Sequence, residues 1–376
     1  MQGRQIHPSE LKIGEPLPCD AYDAKGTLLL RKGHVITSAT QIEKLTRHAM
    51  WADPAGGAGA GAAAESDAPR QVSALSLVLS ARRQLQALLL AESTTDFPKR
   101  VMQIGSLVRR ACRINADVSL AAILMAREGP YVFRHAVNVA IACQIAGAAM
   151  ELSAADLSTT VAAALTMNIG MLDLQQELYG LQGSLNETQR AQVTAHCERG
   201  VAMLRELGVR NERWLEIVRD HHERPDGSGY PAGKKGDAMD PLTQLVALAD
   251  VYCARVSGRQ YRCAMAPNVA LRWLFLNEGT AVDEHQAALF IKTLGIYPPG
   301  TGVRLHNGSI AIVTHRGATG RTPRVSSITT HDGLRAGVPI RRHGDPTAHA
   351  VTEVVDLDAL EMSVSMEALW GADAAV

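Results

Sequence analysis

Residues 221–231 read His-His-Glu-Arg-Pro-Asp-Gly-Ser-Gly-Tyr-Pro. Two adjacent imidazoles lead directly into a turn that is rich in glycine and proline and also holds an acid, a hydroxyl and a phenol. Neutral imidazole is the commonest metal ligand among side chains, and a rigid turn beside it can shape a small-molecule pocket. A polar loop with both histidines in solvent would explain an isolated His-His pair. The fixed distance to the Asp-Gly-Ser-Gly-Tyr-Pro turn favours a functional site instead.

This stretch resembles the signature of the HD-GYP family, bacterial metal-dependent phosphodiesterases that open cyclic di-GMP. The resemblance covers about residues 70–297. Residues 131–140 resemble the helix that carries the family's first histidine, and residues 194–200 resemble its segment with a histidine followed by a glycine. Residues 249–262 resemble its late aspartate helix and the basic Tyr-Arg tail behind it. Several spacings therefore agree with one family.

The chain departs from the family at the residue pair that names it. Where the family has His-Asp-x-Gly-Lys, residues 167–171 read Met-Asn-Ile-Gly-Met. Met167 replaces the histidine, Asn168 the bridging aspartate and Met171 the lysine. Tyr131 stands where some members have a glutamate ligand. Each change removes a charge or a hard donor, so the resemblance predicts a degenerate site for which no catalytic residue is assigned.

The resemblance also implies a set of candidate metal ligands. They are His135, His196, His221, His222 and Asp250. In the family, the three later histidines crowd one metal position, and the first histidine and the aspartate flank a second. Two-metal hydrolysis needs ions about 4 Å apart, and the neutral amide of Asn168 is a poor bridge between two cations.

We therefore expect at most one divalent transition metal (iron, manganese or zinc), since three histidines with an open fourth position form a known catalytic arrangement. A dinuclear centre is not expected. The alternative is that all five candidates are vestigial and hydrogen-bond to one another and to water.

The ligand-binding half of the signature is better preserved. The turn keeps the family's residues at Asp226, Gly227, Gly229, Tyr230 and Pro231. Glycine adopts positive φ without a steric penalty and proline restricts the backbone, so this composition predicts one defined turn. Arg259 and Arg262 match the positions that contact substrate phosphate in the family. Guanidinium groups bind phosphate bidentately and keep their charge, which suits a cyclic dinucleotide, whereas ordinary surface charge is the alternative.

Composition excludes several other classes of function. Lys+Arg and Asp+Glu both total 38, which argues against a general DNA- or RNA-binding protein. With 4 Phe and 7 Tyr the chain lacks an aromatic platform for single strands. No apolar signal core or uncharged apolar run of membrane-spanning length is evident, so we expect a cytoplasmic protein without membrane insertion. The scattered cysteines are then expected to be packed, reduced thiols.

The predicted fold is mainly α, with a helical bundle of the HD-GYP type. Residues 1–51 carry short β signals and are predicted to be a small accessory module. The Ala- and Gly-rich residues 52–69 are predicted to be a flexible linker. Helical periodicity extends over 70–297. Residues 298–376 are predicted to be a small β barrel or sheet, beginning with a hairpin at Asn307-Gly308.

Three functions remain open at this level. The first is a degenerate HD-GYP protein that binds cyclic di-GMP, or docks on a diguanylate cyclase (GGDEF) domain, with little or no hydrolysis. The second is a metal-dependent cyclic di-GMP phosphodiesterase with an altered mononuclear site. The third is a non-catalytic scaffold for protein contacts. The intact turn combined with the eroded residues 167–171 favours the first.

Overall fold

The computed structural model describes residues 3–5, 11, 17, 21–23, 28–30, 34–36, 45, 49–52, 72–258, 264–277, 284–317, 322–342 and 347–376. The chain divides into two compact units, Met1–Arg70 and Gln71–Val376. The predicted linker lies outside the described residues from 53 onwards, and the domain boundaries predicted from the sequence stay predictions.

The first unit contains a small antiparallel sheet. Its strands are β1 (Gly3–Gln5), β2 (Ala21–Asp23), β3 (Leu28–Leu30) and β4 (Ala49–Ala52), in the order β1-β4-β2-β3. Leu11, Leu17, Ala21, Ile36 and Leu45 form its small buried cluster. Strands β2 and β3 pair antiparallel, in agreement with the short β signals expected for residues 1–51.

The second unit is built from helices, several of which begin at polar caps. They are α1 (Ala74–Leu89), α2 (Phe97–Ile114), α3 (Ala116–Met125), α4 (Tyr131–Ala149), α5 (Ala154–Thr166), α6 (Leu172–Tyr179), α7 (Glu187–Glu206), α8 (Glu212–Asp220), α9 (Pro241–Val256), α10 (Pro267–Asn277) and α11 (Glu284–Leu294). Asn186 and Gln189 form a capping box at the start of α7. Asn211 and Asp240 cap α8 and α9 through their side chains, so the polar residues between the apolar runs explain where these helices begin.

Helix α4 lies at the centre of the bundle. Among residues 131–147, all of which the structure describes, Arg134 alone is not buried. Two stretches, Tyr131–Ala149 and Ala154–Tyr179, are apolar and long enough to cross a membrane by length and composition alone. Their most apolar windows are 83% and 61% buried within the protein, as in the core helices of a folded domain.

The chain continues into an antiparallel sheet of five strands. These are β5 (Gly302–Leu305), β6 (Ile310–His315), β7 (Arg324–Thr329), β8 (Arg335–Arg342) and β9 (Val351–Val354), in the order β8-β7-β6-β5-β9. The predicted hairpin is present, with Gly308 at a φ of 86° between β5 and β6. Strand β8 was not predicted because Gly337 and Pro339 interrupt its pattern. The expected barrel or sheet is therefore an open sheet.

One face of this sheet shares the helical core. Ile310, Ile312 and Ile328 belong to the same buried cluster as the helices, whereas Val303 and Val313 belong to a second, smaller cluster. A short helix, α12 (Met366–Trp370), completes the contact, and the indole N–H of its Trp370 donates to the carbonyl of Thr314. The mainly helical fold class with a small C-terminal sheet is thus confirmed.

Candidate metal centre and ligand loop

The candidate metal ligands come from separate helices of the bundle. His135 lies on α4, His196 on α7 and Asp250 on α9, whereas His221 follows the last residue of α8. All four side chains are buried or nearly so. Residues as far as 115 positions apart in sequence are therefore brought together by helix packing, and the folded bundle is needed to assemble the site.

His196 and His221 face each other through their Nε2 atoms, which lie 3.4 Å apart. The Nδ1–H of His196 donates to the carbonyl of Val193, and the Nδ1–H of His221 donates to the carbonyl of Val218 at 2.7 Å. These bonds determine the tautomer, because a carbonyl can only accept. Each Nε2 is thereby left with its lone pair. Burial lowers the pKa of both imidazoles, to about 4 for His196, so both are neutral near pH 7.

The thiol of Cys197 belongs to the same cluster. Its Sγ lies 3.6 Å from Nε2 of His196. Among the described residues, one ligand atom each from His196, Cys197 and His221 all lie within 4.8 Å of one another. Burial raises the pKa of the thiol to about 12, so the sulfur is protonated unless a cation displaces the proton. The donor set, two imidazole lone pairs and a thiol, fits one borderline-soft divalent cation.

His135 and Asp250 are bound to each other. Nε2 of His135 donates to Oδ1 of Asp250 at 2.7 Å, and the hydroxyl of Tyr131 lies 3.4 Å from Nδ1 of His135. Burial alone would raise the pKa of Asp250, but the hydrogen bond and charge of His135 outweigh it and hold that pKa well below the usual range. The groups expected to flank a second metal therefore satisfy one another.

The ring of His222 contacts Tyr230 as well as His221. Its ring stacks on Tyr230, with centroids 4.7 Å apart and planes 26° apart, and lies 4.2 Å from the ring of His221. His222 is not among the residues whose ligand atoms cluster with His196. Burial raises the pKa of Tyr230 far above its usual value, so the phenol stays protonated. The structure brings the rings of the three later histidines together, with His222 and His196 centroids 5.2 Å apart, and the Nε2 atoms of His196 and His221 face each other.

The ligand loop, residues 223–236, is held by one buried carboxylate. Oε1 of Glu223 accepts from the backbone N–H groups of Ala232 at 2.5 Å and Gly233 at 3.1 Å, and its Oε2 accepts from that of Lys234 at 2.9 Å. Glu223 is 2% exposed. Its role was not predicted from the sequence, because no spacing rule indicates which backbone groups a carboxylate will accept from at such a separation.

The other turn residues divide into those that shape the loop and those that line a cavity. A Cβ at Gly229 would lie 2.4 Å from the backbone nitrogen of Arg224, so glycine is required there. The exposed Asp226 accepts from the N–H and hydroxyl of Ser228, which shapes the turn. Gly227 has a φ of 80°, and Pro231 follows a cis peptide bond.

A cavity of about 210 Å³ lies between this loop and helices α9 and α10. His221, His222, Gly229 and Tyr230 line it from the loop side, and Val251 and Leu274 line it from the helices. Asp226, Gly227 and Pro231 are not among its lining residues. Arg259 and Arg262 lie outside the described residues. A larger cavity of about 580 Å³, lined by parts of α1, α4 and the C-terminal segment, contains none of the candidate site residues.

The turn at residues 167–171 packs against the backbone of α7. Met167 is fully buried in the helical core, and Met171 is partly buried. A Cβ at Gly170 would lie 2.3 Å from the carbonyl oxygen of His196, so the turn and α7 are in backbone contact. Asn168 is buried, and its Oδ1 has no hydrogen-bond partner among the residues that the structure describes. An unpaired carbonyl oxygen is a neutral donor that suits a terminal metal ligand rather than a bridge.

The fold and these residues agree with comparisons to known proteins. Residues 119–285 match the family model of the HD domain. The chain contains an HD domain of the HD-GYP type. It is 29% identical over 227 residues to a cyclic di-GMP phosphodiesterase of Pseudomonas aeruginosa, a match that covers 60% of this chain and 53% of the relative. The prediction of the HD-GYP family from the sequence is confirmed.

Other relatives support the same assignment. The chain is 28% identical over 208 residues to a 3'3'-cGAMP-specific phosphodiesterase of Vibrio cholerae, covering 54% of this chain and 45% of that protein. It therefore spans about half the length of these curated relatives. An HDG"Y"P protein of Bdellovibrio bacteriovorus shares the fold, with a TM-score of 0.51 at 14% identity over 76% of this chain and 97% of that one.

Proposed function

We propose that this HD domain protein binds cyclic di-GMP through its ligand loop and hydrolyses it slowly or not at all. The observation that carries this proposal is the neutral residue pair Met167-Asn168, in the place where the family has its His-Asp pair and in the turn whose Gly170 packs against the backbone of His196. The protein would then act in signalling by binding the ligand, or by docking a diguanylate cyclase domain on the loop, and not by hydrolysis.

Slow or absent hydrolysis is expected because the site lacks the negative charge that holds two metal ions together. A dinuclear centre needs a shared anionic ligand between ions about 4 Å apart. Asn168 offers one neutral oxygen, and Met167 has its side chain inside the apolar core. His135 and Asp250 hydrogen-bond to each other, so a second ion would first have to break that bond. These contacts support at most one metal ion, at His196 and His221.

The proposed ligand binding is supported by the contacts that fix the conformation of the ligand loop. The three N–H bonds to Glu223 and the close packing of Gly229 hold Tyr230 and His222 at the cavity wall. A cavity of 210 Å³ is smaller than the roughly 300–1,000 Å³ of most ligand pockets, so it accommodates one end of a cyclic dinucleotide. Arg259 and Arg262 are proposed to bind its phosphates.

Calorimetry with cyclic di-GMP, alongside a turnover assay for the linear dinucleotide, tests the proposal. We expect binding by the purified protein and product formation far slower than by an intact HD-GYP enzyme. Arg262→Ala should weaken binding, whereas Arg113→Ala, an exposed arginine on α2, should not. Brisk hydrolysis by pure protein would refute the proposal, as would a lack of binding.

The facing pair of His196 and His221 favours one second candidate, a mononuclear phosphodiesterase. It requires metal-dependent product formation that disappears in His221→Ala or His222→Ala and persists in Asn168→Ala. A protein that binds neither metal nor nucleotide, but still binds a protein partner in these variants, would instead be the scaffold.

A further inference from the structure

We propose that Cys197 is a metal ligand, and that its thiolate together with His196 and His221 holds a single zinc ion. This inference deepens the metal half of the proposed function and rests on it. Cys197 has no counterpart among the ligand positions that the family resemblance implies, so the ligand set would be this chain's own.

The distances between the donor atoms carry the argument. Zinc binds imidazole nitrogen at about 2.0–2.1 Å and thiolate sulfur at about 2.3 Å, so a tetrahedral ion separates two such nitrogens by about 3.4 Å and a nitrogen from the sulfur by about 3.6 Å. The Nε2 atoms of His196 and His221 are 3.4 Å apart, and Sγ of Cys197 is 3.6 Å from Nε2 of His196. Two of the three donor distances therefore match a tetrahedral site, and the third, between Cys197 and His221, lies within 4.8 Å.

The hydrogen bonds around the cluster orient it towards a cation. Both imidazoles donate their Nδ1–H to backbone carbonyls, so two Nε2 lone pairs face each other inside the protein. Two buried acceptors in contact are unfavourable without a proton or a cation between them. Backbone carbonyls that orient ligating histidines in this way are typical of metal sites.

The chemistry of sulfur indicates which metal is held. Thiolate is a soft ligand that favours zinc, whereas manganese prefers oxygen donors. When zinc binds, the S–H bond breaks, the sulfur forms its bond to zinc and the proton leaves to solvent, so the thiolate cancels one of the two positive charges of the site. A water or a phosphate oxygen of the ligand can take the fourth position.

Cobalt substitution in the full-length protein tests the inference without relying on activity. The chelated protein loaded with Co²⁺ should show the visible bands of a tetrahedral ion and a near-ultraviolet thiolate-to-cobalt charge-transfer band. Cys197→Ser should lose the charge-transfer band and bind zinc at least ~10-fold more weakly. Cys112→Ser, a thiol on α2, is the matched control and should change neither.

A second measurement uses the wild-type protein, so it remains informative if the Cys197→Ser variant does not fold. In the wild-type protein, zinc should protect Cys197 from alkylation, with mass mapping of each cysteine. An unchanged cobalt spectrum in folded Cys197→Ser, or alkylation of Cys197 that zinc does not slow, would overturn the inference. If the charge-transfer band is present but cyclic di-GMP does not bind, the proposed function fails and the zinc site stands. If the nucleotide binds but the band is missing, the zinc site fails and the proposed function stands.

Discussion

Nε2 of His135 donates a hydrogen bond to Oδ1 of Asp250 across the interface of α4 and α9, at a distance of 2.7 Å. Both residues are buried, and burial keeps solvent from replacing either partner. In a dinuclear centre these groups would face an ion. Here the bond holds two helices together, so the pair has a structural role.

Removing one partner of this pair should destabilise the domain. Asp250→Ala leaves a buried imidazole N–H without its acceptor, and we expect a loss of about 3 kcal/mol in the free energy of unfolding. Urea denaturation measures it. The matched control is Glu212→Gln, which breaks the exposed pair of Arg205 and Glu212 and should change stability little. A loss in Asp250→Ala no larger than in the control would contradict this structural role.

Glu223 should control the shape of the ligand loop. Glu223→Ala leaves three backbone N–H groups without their acceptor, and we expect about 2–4 kcal/mol of destabilisation together with weaker nucleotide binding. Glu223→Gln retains one carbonyl acceptor and should be intermediate. Thermal unfolding and calorimetry measure the two effects. Equal binding by the wild type and Glu223→Ala would show that the loop keeps its shape without the carboxylate.

Gly229 should tolerate no side chain. A Cβ there would lie 2.5 Å from both the carbonyl oxygen of His222 and the Cα of Glu223, so Gly229→Ala must displace backbone and should lower both the melting temperature and the affinity for cyclic di-GMP. Gly337→Ala on β8 is the control, because a Cβ at that position meets nothing within 4 Å. Similar melting temperatures for the two variants would show that the loop relaxes around the methyl group.

Restoring the family's pair should restore a second metal. We expect the double variant Met167→His/Asn168→Asp to bind more than one ion per chain and to gain hydrolysis, because the bridging anion is present again. The single variant Asn168→Ala should change neither the number of bound ions nor the rate of hydrolysis. Elemental analysis measures the number of bound ions, and the turnover assay measures hydrolysis. Circular dichroism checks that the double variant folds, because a polar side chain in place of the buried Met167 lowers stability. Two ions already bound in the wild type would contradict the role assigned to Asn168.

The sequence alone was sufficient to predict the family, the helical domain and the hairpin at Asn307-Gly308. These features depend on local patterns: apolar periodicity, polar caps and a Gly-rich turn bias the backbone wherever they occur. Strand β8 was missed for the same reason, because Gly337 and Pro339 oppose a strand locally and only pairing with β7 stabilises it.

By itself, the sequence determined which donor groups this protein has: the histidines, the loop residues and the neutral pair Met167-Asn168. Only the tertiary structure decided how those groups are used. It turned His222 towards Tyr230, joined His135 to Asp250, and brought the thiol of Cys197 to the facing nitrogens of His196 and His221. Such contacts depend on how several helices pack around α4, and packing geometry over these sequence separations is not encoded in any local pattern.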